Sequence, residues 1–282
     1  MKKIILLAFG FASLSVTAQT ITRNAALVKG QQLEQINEVK MNITQEMAGQ
    51  SMDVKVQSTI THLIDIKNDS AGIFTVSNTL KKVLMNMDMM GQQMNFDSDK
   101  KEDLDGQLGQ AYKESLDKPQ EYLVNKEGVI TAVKSIIETK EGGGMMDNML
   151  GGVLETEQAG GSFHSVANIP VKGVKKGESW TDSLGDGKSK TYTTFTLQDI
   201  KGNQGLISSI SSLVIDREIE QQGMKMQMDM KGTTTGEYSF EVNTGIITAK
   251  KSTTKASGNI EVMGQPVPIG METTIITTVN KK

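Results

Sequence analysis

Met224-Lys225-Met226-Gln227-Met228-Asp229-Met230 places a methionine at every second position, with polar residues between. Met85-Asn86-Met87-Asp88-Met89 repeats the pattern. Side chains of a strand alternate between its faces, so a period of two sends the sulfurs to one side and the polar groups to the other. An α-helix of either stretch would spread methionine around its whole circumference. The stretches therefore read as two half-buried strands, each next to a polar turn that carries Gly, within Met85–Met94 and Gln221–Met230. Met47–Met52 and Val262–Ile269 hold related turns. Gly supplies the positive φ that tight hairpins need.

Working outward, Val39–Met47 and Met52–Ile66 read as a hairpin. Val54, Val56, Ser58, Ile60, His62, Ile64 and Ile66 share one face of its second strand, and Asp53, Lys55, Gln57, Thr59, Thr61 and Asp65 lie on the other. At about 3.3 Å per residue that strand is about 40 Å long, which calls for a large, curved sheet. Asn68–Gly72 is a turn, and Ile73–Met89 is the next strand region, with a break near Lys81-Lys82. Gly91 turns it into Gln92–Phe96. Asp99, with Glu102 three residues on, has the form of a capping box. Leu104, Leu108, Ala111, Tyr112 and Leu116 follow at helical spacing and predict a helix over about 100–116. Glu121–Asn125 and Val129–Thr139 form another hairpin. Met145, Met146, Met149, Leu150, Val153 and Leu154 mark one face of a second helix, near 145–159, bracketed and interrupted by glycines. It reads as a packed connecting helix, as a mobile flap over an apolar groove, or as disorder. Phe163–Trp180 is a connector. Strands then resume over Ser189–Ile200, Leu206–Ile219, Met224–Met230, Thr233–Asn243, Ile246–Thr254, Asn259–Met263 and Val267–Val279.

The two halves resemble each other. Asp65-Ile66-Lys67 matches Asp199-Ile200-Lys201, Gly72 matches Gly205, Gly91 matches Gly223, and the run from Gly128 to Ser135 matches that from Gly245 to Ser252. The expected fold is mainly β (α+β), a duplicated antiparallel meander forming a curved sheet, half-barrel or open sandwich with two inserted helices. The expected organisation is a signal peptide over 1–18, a first β half over 19–140, a helical connector over 141–180 and a second β half over 181–282, the halves sharing one core.

Composition narrows the functions available. The chain has 282 residues and a net charge of −3, with no basic excess to attract nucleic acid. It has no Cys, which excludes disulfides, thiolate metal sites and cysteine nucleophiles. Its start carries Lys2 and Lys3, an apolar run over Ile4–Val16 too short to span a bilayer, and the small-residue site Val16-Thr17-Ala18. These features predict export through a cleaved signal peptide to the periplasm or beyond, without lipidation. No other long apolar run is present, so no integral membrane segment is expected in the mature chain.

The Asn95-Phe96-Asp97-Ser98 segment, the hairpin Val124-Asn125-Lys126-Glu127-Gly128-Val129-Ile130, and the connector from Ile169-Pro170-Val171 to Gly177-Glu178-Ser179-Trp180 resemble a domain-of-unknown-function family of exported Bacteroidota proteins. The resemblance spans most of the mature chain and implies no catalytic residue, since that family has no established activity. By shape alone the expected architecture is similar to the lipoprotein-carrier half-barrels of the periplasm.

Residues that carry chemistry are few. The chain has two histidines. His62 lies on an apolar face, either as a hydrogen-bonded core residue or as a polar anchor for a ligand. His164 sits in a Gly/Ser-rich connector. Neither HExxH nor GxSxG occurs. Gly185-Asp186-Gly187-Lys188-Ser189 ends like a phosphate loop, but Asp182 stands where the first Gly belongs. Asp182–Gly187 lacks two ligands of a calcium loop, with Leu184 and Thr193 in their places. Asp97, Asp99, Glu102, Asp103 and Asp105 suit the start of a helix. The expectation is a non-enzymatic envelope protein, without cofactor or bound metal, that binds an apolar small molecule or an envelope protein through a Met/aliphatic concave face. His62, Met85, Met87, Met89, Met145, Met149, Met224, Met226 and Met228 are its candidate binding residues. The alternative is a Cu(I)-binding protein, because thioethers are soft ligands; i and i+2 side chains stand roughly 6–7 Å apart on a strand, so chelation needs two strands to converge. A hydrolase with an unfamiliar site is a third reading.

Overall fold

The structure is a computed structural model. It describes residues 19–47, 50–106, 108–135, 158–185, 189–221, 224–262 and 264–282. In chain order the elements are β1 (Thr20–Ile21), β2 (Gln32–Met47), β3 (Gln50–Ser70), β4 (Ile73–Met89), β5 (Gln92–Asp97), α1 (Lys101–Asp105), α2 (Gly109–Lys113), β6 (Pro119–Asn125), β7 (Ile130–Val133), β8 (Val174–Lys175), β9 (Ser179–Gly185), β10 (Lys190–Lys201), β11 (Gln204–Gln221), β12 (Met224–Glu241), β13 (Ile247–Val262) and β14 (Gln265–Lys281).

Twelve of the strands make one antiparallel sheet that does not close. Its order is β7-β6-β4-β3-β2-β14-β13-β12-β11-β10-β9, with β5 also paired to β4. Two meanders thus run along one sheet and meet where β2 pairs β14, from Leu33 opposite Lys281 to Gln45 opposite Ile269. β1 and β8 form a separate two-stranded ribbon.

Alternation sets which face is buried. On β2 every odd residue from Leu33 to Ile43 is buried, while Glu38, Lys40 and Asn42 are exposed. On β12 the buried residues Met226, Met228, Met230, Gly236 and Phe240 all fall on even positions, as period two requires. β4 changes phase midway. Phe74 and Val76 point inward below, and Val83, Met85 and Met87 point inward above. One extra residue makes this possible: Thr61 opposes Lys82 and His62 opposes Leu80, so Lys81 bulges out. The expected break at Lys81-Lys82 is this bulge. It also marks a change of partner, because β4 pairs β6 over 73–79 and β5 over 84–89.

The gap at that change of partner is filled by α1 and α2. The single helix expected over 100–116 is instead these two short pieces, interrupted at Gly106, and the expected capping box is absent. Lys100 is the N-cap and makes no side-chain cap bond. Asp103 accepts from the Asp97 N–H at 2.9 Å, and Asp99 pairs with Lys82. Leu104, Leu108 and Tyr112 still face the sheet, and Tyr112 stacks on Phe96 with ring centroids 5.4 Å apart. The second expected helix, with Met145 and Met149, lies outside the described residues. Strand β9 falls in a stretch read as connector and turn, and it extends the second meander by one strand.

The sheet is rolled. β6 and β13 lie five steps apart, which a flat sheet would space at about 24 Å. Yet the turns that follow β6 and precede β13 both pack on Val166. An added Cβ would lie 2.6 Å from Val166 Cγ1 at Gly128 and 3.7 Å from it at Gly245. The connector bonds to both: Phe163 N–H donates to Gly128 O and Ala167 N–H to Gly245 O, each at 2.8 Å. Residues 23–26 tie the same two turns from outside. Ala25 N–H donates to Lys126 O at 2.7 Å and Ala26 N–H to Thr244 O at 3.0 Å. Three apolar clusters result. The largest joins β2, β3, β4, β5 and β11–β14, and two smaller ones lie under the lead-in and the connector.

Candidate functional site

The inner face of the rolled sheet is the candidate site. Inward positions on seven strands can be read directly from the register: 54–66 on β3, 33–43 on β2, 269–279 on β14, 250–260 on β13, 226–240 on β12, 207–215 on β11, and both segments of β4. Across these positions Lys250 is the one charged residue, and beyond them the same phase reaches Arg217 near the end of β11 and Lys281 at the end of β14. Lys250 Nζ stands 5.1 Å from the centroid of the Tyr238 ring. A chain with 22% charged residues has therefore sorted almost all of them away from this surface. Burying an unpaired charge in apolar surroundings is strongly unfavourable, so the sorting is what a one-sided sheet demands.

The lining has two characters. Towards the end with the 90–91 turn and Gly264 it is thioether and aliphatic: Met41, Met85, Met87, Met226, Met228, Met230 and Met271 share one buried cluster with Val39, Val56 and Ile260. A band of hydroxyls and amides follows. Thr193 and Ser211 bond at 2.8 Å, Thr234 and Thr254 at 2.8 Å, Ser209 and Tyr238 at 3.0 Å. Thr277 donates to Asn37 Oδ1 at 2.8 Å and Gln35 Nε2 to the same oxygen at 3.4 Å. Two hydroxyls on this face, Ser58 Oγ and Thr273 Oγ1, are buried without a hydrogen-bond partner among the described residues.

The structure brings four of the nine expected binding residues together. Met85, Met87, Met226 and Met228 are buried in the one cluster. Met89 is 37% exposed, near the tip of the β4–β5 hairpin. Met224 opens β12 opposite Gln221, and its side chain is outside the described set, as are Met145 and Met149. His62 is half-buried, with Nδ1 2.9 Å from Asn78 Oδ1. Sequence reasoning did not single out the hydroxyl band, although Thr273 and Thr277 stand at the right period among apolar inward residues. The lead-in ahead of β2 also contributes to the core, with Ile21, Ala25 and Leu27 buried.

A second feature lies away from the inner face, beside β9. It is an open depression of about 560 Å³ lined by Arg23, Lys172, Trp180 and Asp182 among others. The Arg23 guanidinium donates to Glu127 O at 2.6 Å and Ser162 Oγ at 2.5 Å. Burial lowers its pKa, and Asp182 and Glu127 oppose that shift. Arg23 thus holds the lead-in to the β6–β7 turn. Trp180 donates to Asn168 O at 2.8 Å and stacks on Phe195. Among the described residues no group of three or more His, Asp or Glu could hold a metal ion. No helix among them is long and apolar enough to cross a membrane.

Comparison with curated proteins yields no match. Among solved structures, one of lipovitellin, concerned with lipid–protein interactions, is similar at a TM-score of 0.50 and 9% identity, over 90% of this chain and 25% of that one. An outer-membrane channel of Pseudomonas putida F1 matches at 0.27 and 6%, over 91% of this chain and 98% of that one. The Pseudomonas aeruginosa protein OccK7 matches at 0.23 and 8%, over 89% and 100%. At such identities the lipovitellin likeness concerns the fold alone, and this chain spans a quarter of that protein's length. Residues 71–247 match the family of unknown function DUF6263, and the chain belongs to that family.

Proposed function

We propose that the protein is an exported, non-enzymatic binder of apolar or lipid-like molecules, which it holds against the inner face of its sheet. The observation that carries this reading is the sorting of charge: seven adjacent strands present an inward lining whose charged positions are Lys250 and, towards strand ends, Arg217 and Lys281, with a methionine-rich end and a hydroxyl band. Methionine is unbranched and polarisable, and so adapts to irregular apolar shapes. An unclosed sheet leaves a side through which a ligand could enter. Lipovitellin supports the lipid class only through its similar fold. The leader-like residues 1–18 support export, and their cleavage is tested by the mass of the mature N-terminus.

The two meanders support descent from a repeated unit. Strands β3, β4, β6 and β7 follow one another along the sheet in the same sense as β10, β11, β12 and β13. Gly128 and Gly245, which the repeat equates, have φ of +73° and +70° and both accept from the connector. A Cu(I) role is a second proposal, favoured by the seven clustered thioethers and tested by anaerobic titration of the wild type against Met226→Leu/Met228→Leu.

Organic extraction and native mass spectrometry of protein purified from its exporting host test the main reading. A co-purifying apolar molecule is expected. Protein that is empty and also fails to take up a fluorescent fatty acid would refute it.

A further inference from the structure

Ser58 and Thr273 are unusual within this lining. Ser58 is 6% exposed and Thr273 1%. Neighbouring hydroxyls of the band pair across strands, yet these two have no partner among the described residues. Burying a hydroxyl without a hydrogen bond costs stability, so such groups in a folded protein call for an explanation. Their surroundings give no local one. Ser58 stands between Val39 on β2 and Met85 on β4, and Thr273 between Met41 on β2 and Thr254, whose hydroxyl is bonded to Thr234. Both therefore lie at the border between the thioether lining and the polar band, on the same face.

We infer that Ser58 and Thr273 anchor the uncharged polar head of an amphiphile whose tail lies along the methionines. The head is taken as neutral, because the strand neighbours of both hydroxyls on the inward face, Val39, Met85, Met41 and Thr254, are uncharged. It must accept hydrogen bonds, as ester or amide carbonyls do, because each hydroxyl has a proton to donate. β3 and β14 are two strands apart and the two positions are offset by one residue pair, so their backbones are about 12 Å apart. One carbonyl cannot serve both, which points to a ligand with two acceptors, such as a neutral diacylglyceride. This inference rests on the proposed binding of apolar molecules to the inner face.

The test compares 1,2-dioctanoylglycerol with hexadecane as probes for the full mature chain, by calorimetry or displacement of a fluorescent fatty acid. The variants are Ser58→Ala, Thr273→Val and the double change, none of which adds bulk. The wild type should bind the diester more tightly than the alkane. Each substitution should weaken the diester about tenfold and leave the alkane unchanged. Without ligand, the variants should melt at or above the wild-type temperature, because each removes an unbonded hydroxyl. Equal wild-type affinity for both probes, or a diester preference that survives the double change, would overturn the anchoring role while the apolar-face reading stands. Variants that melt well below the wild type would overturn it too, since the hydroxyls would then have partners in the free protein. Failure of both probes to bind would remove the apolar-face reading itself, and the anchors with it.

Discussion

Gly245→Ala should be among the most damaging single-methyl changes in this protein. Gly245 has φ +70°, and an added Cβ would overlap the carbonyl oxygen of Asn24, a backbone atom that no rotamer change can move away. The left-handed conformation alone costs a non-glycine residue about 1 kcal/mol. Relieving the overlap requires residues 24–26 to withdraw. That breaks the bonds from Ala25 to Lys126 O and from Ala26 to Thr244 O, at about 1 kcal/mol each. It also loosens the buried side chains of Ala25 and Leu27, worth about 2 kcal/mol together. The sum is about 5 kcal/mol, against roughly 5–15 kcal/mol for the stability of an ordinary domain. Gly91→Ala is the control: its φ is +83°, but nothing lies within 4 Å of the new Cβ, so only the strain of about 1 kcal/mol applies. Urea unfolding followed by the single Trp, Trp180, and by far-UV circular dichroism gives both values. A Gly245→Ala variant within 1 kcal/mol of Gly91→Ala would refute the idea that the lead-in clamps the two turns.

Met228 is 1% exposed inside the largest cluster, so Met228→Ala should lose about 2–5 kcal/mol and Met228→Leu under about 1.5 kcal/mol in the same assay. Deleting Lys81 should be tolerated, because it removes the bulge and leaves Val76 and Val83 both facing inward. Deleting Asn86 should cost roughly 3 kcal/mol, because it turns Met87 outward and Asp88 inward, and equal urea midpoints for the two deletions would count against the phase argument. The Asp199 carboxylate is held at about 2 by hydrogen bonds from Lys176, the Ile200 N–H and Lys201. A depressed carboxylate stabilises the fold above its unfolded value near 3.9, and that contribution is lost as pH falls toward 2. Between pH 5 and pH 2.5 the wild type should therefore lose more stability than Lys176→Met, measured as the change in urea midpoint.

The fold was legible where one face of a strand is buried and the other wet. Met226, Met228, Val54–Ile66 and the Gly91 turn announced themselves through alternation, because a one-residue error would turn each apolar set outward. The helix over 100–116 was misjudged because the spacing of Leu104, Leu108 and Tyr112 is helical while Gly106 interrupts it. Packing on Phe96 tolerates two short turns as well as one long helix. β9 was missed because Ser179–Gly185 mixes Trp180 with polar residues and lies at the sheet edge, where one side has no partner strand to impose a pattern. The pairing of β2 with β14 joins residues some 240 apart and has no local signature. At the site, the methionines were conspicuous and the hydroxyls were not, since Ser58 and Thr273 matter through what fails to reach them in three dimensions.

The union of β2 with β14 has a consequence for how the molecule is born. The seam in the middle of the sheet needs β14, so until that strand has been made the first meander must wait with the backbone groups of β2 unsatisfied along one side. A topology that stitches its ends together so late has high contact order and should reach its native form slowly. During that interval the strand is open to pairing with another newly made chain, and an escort that shields it would be of most use then.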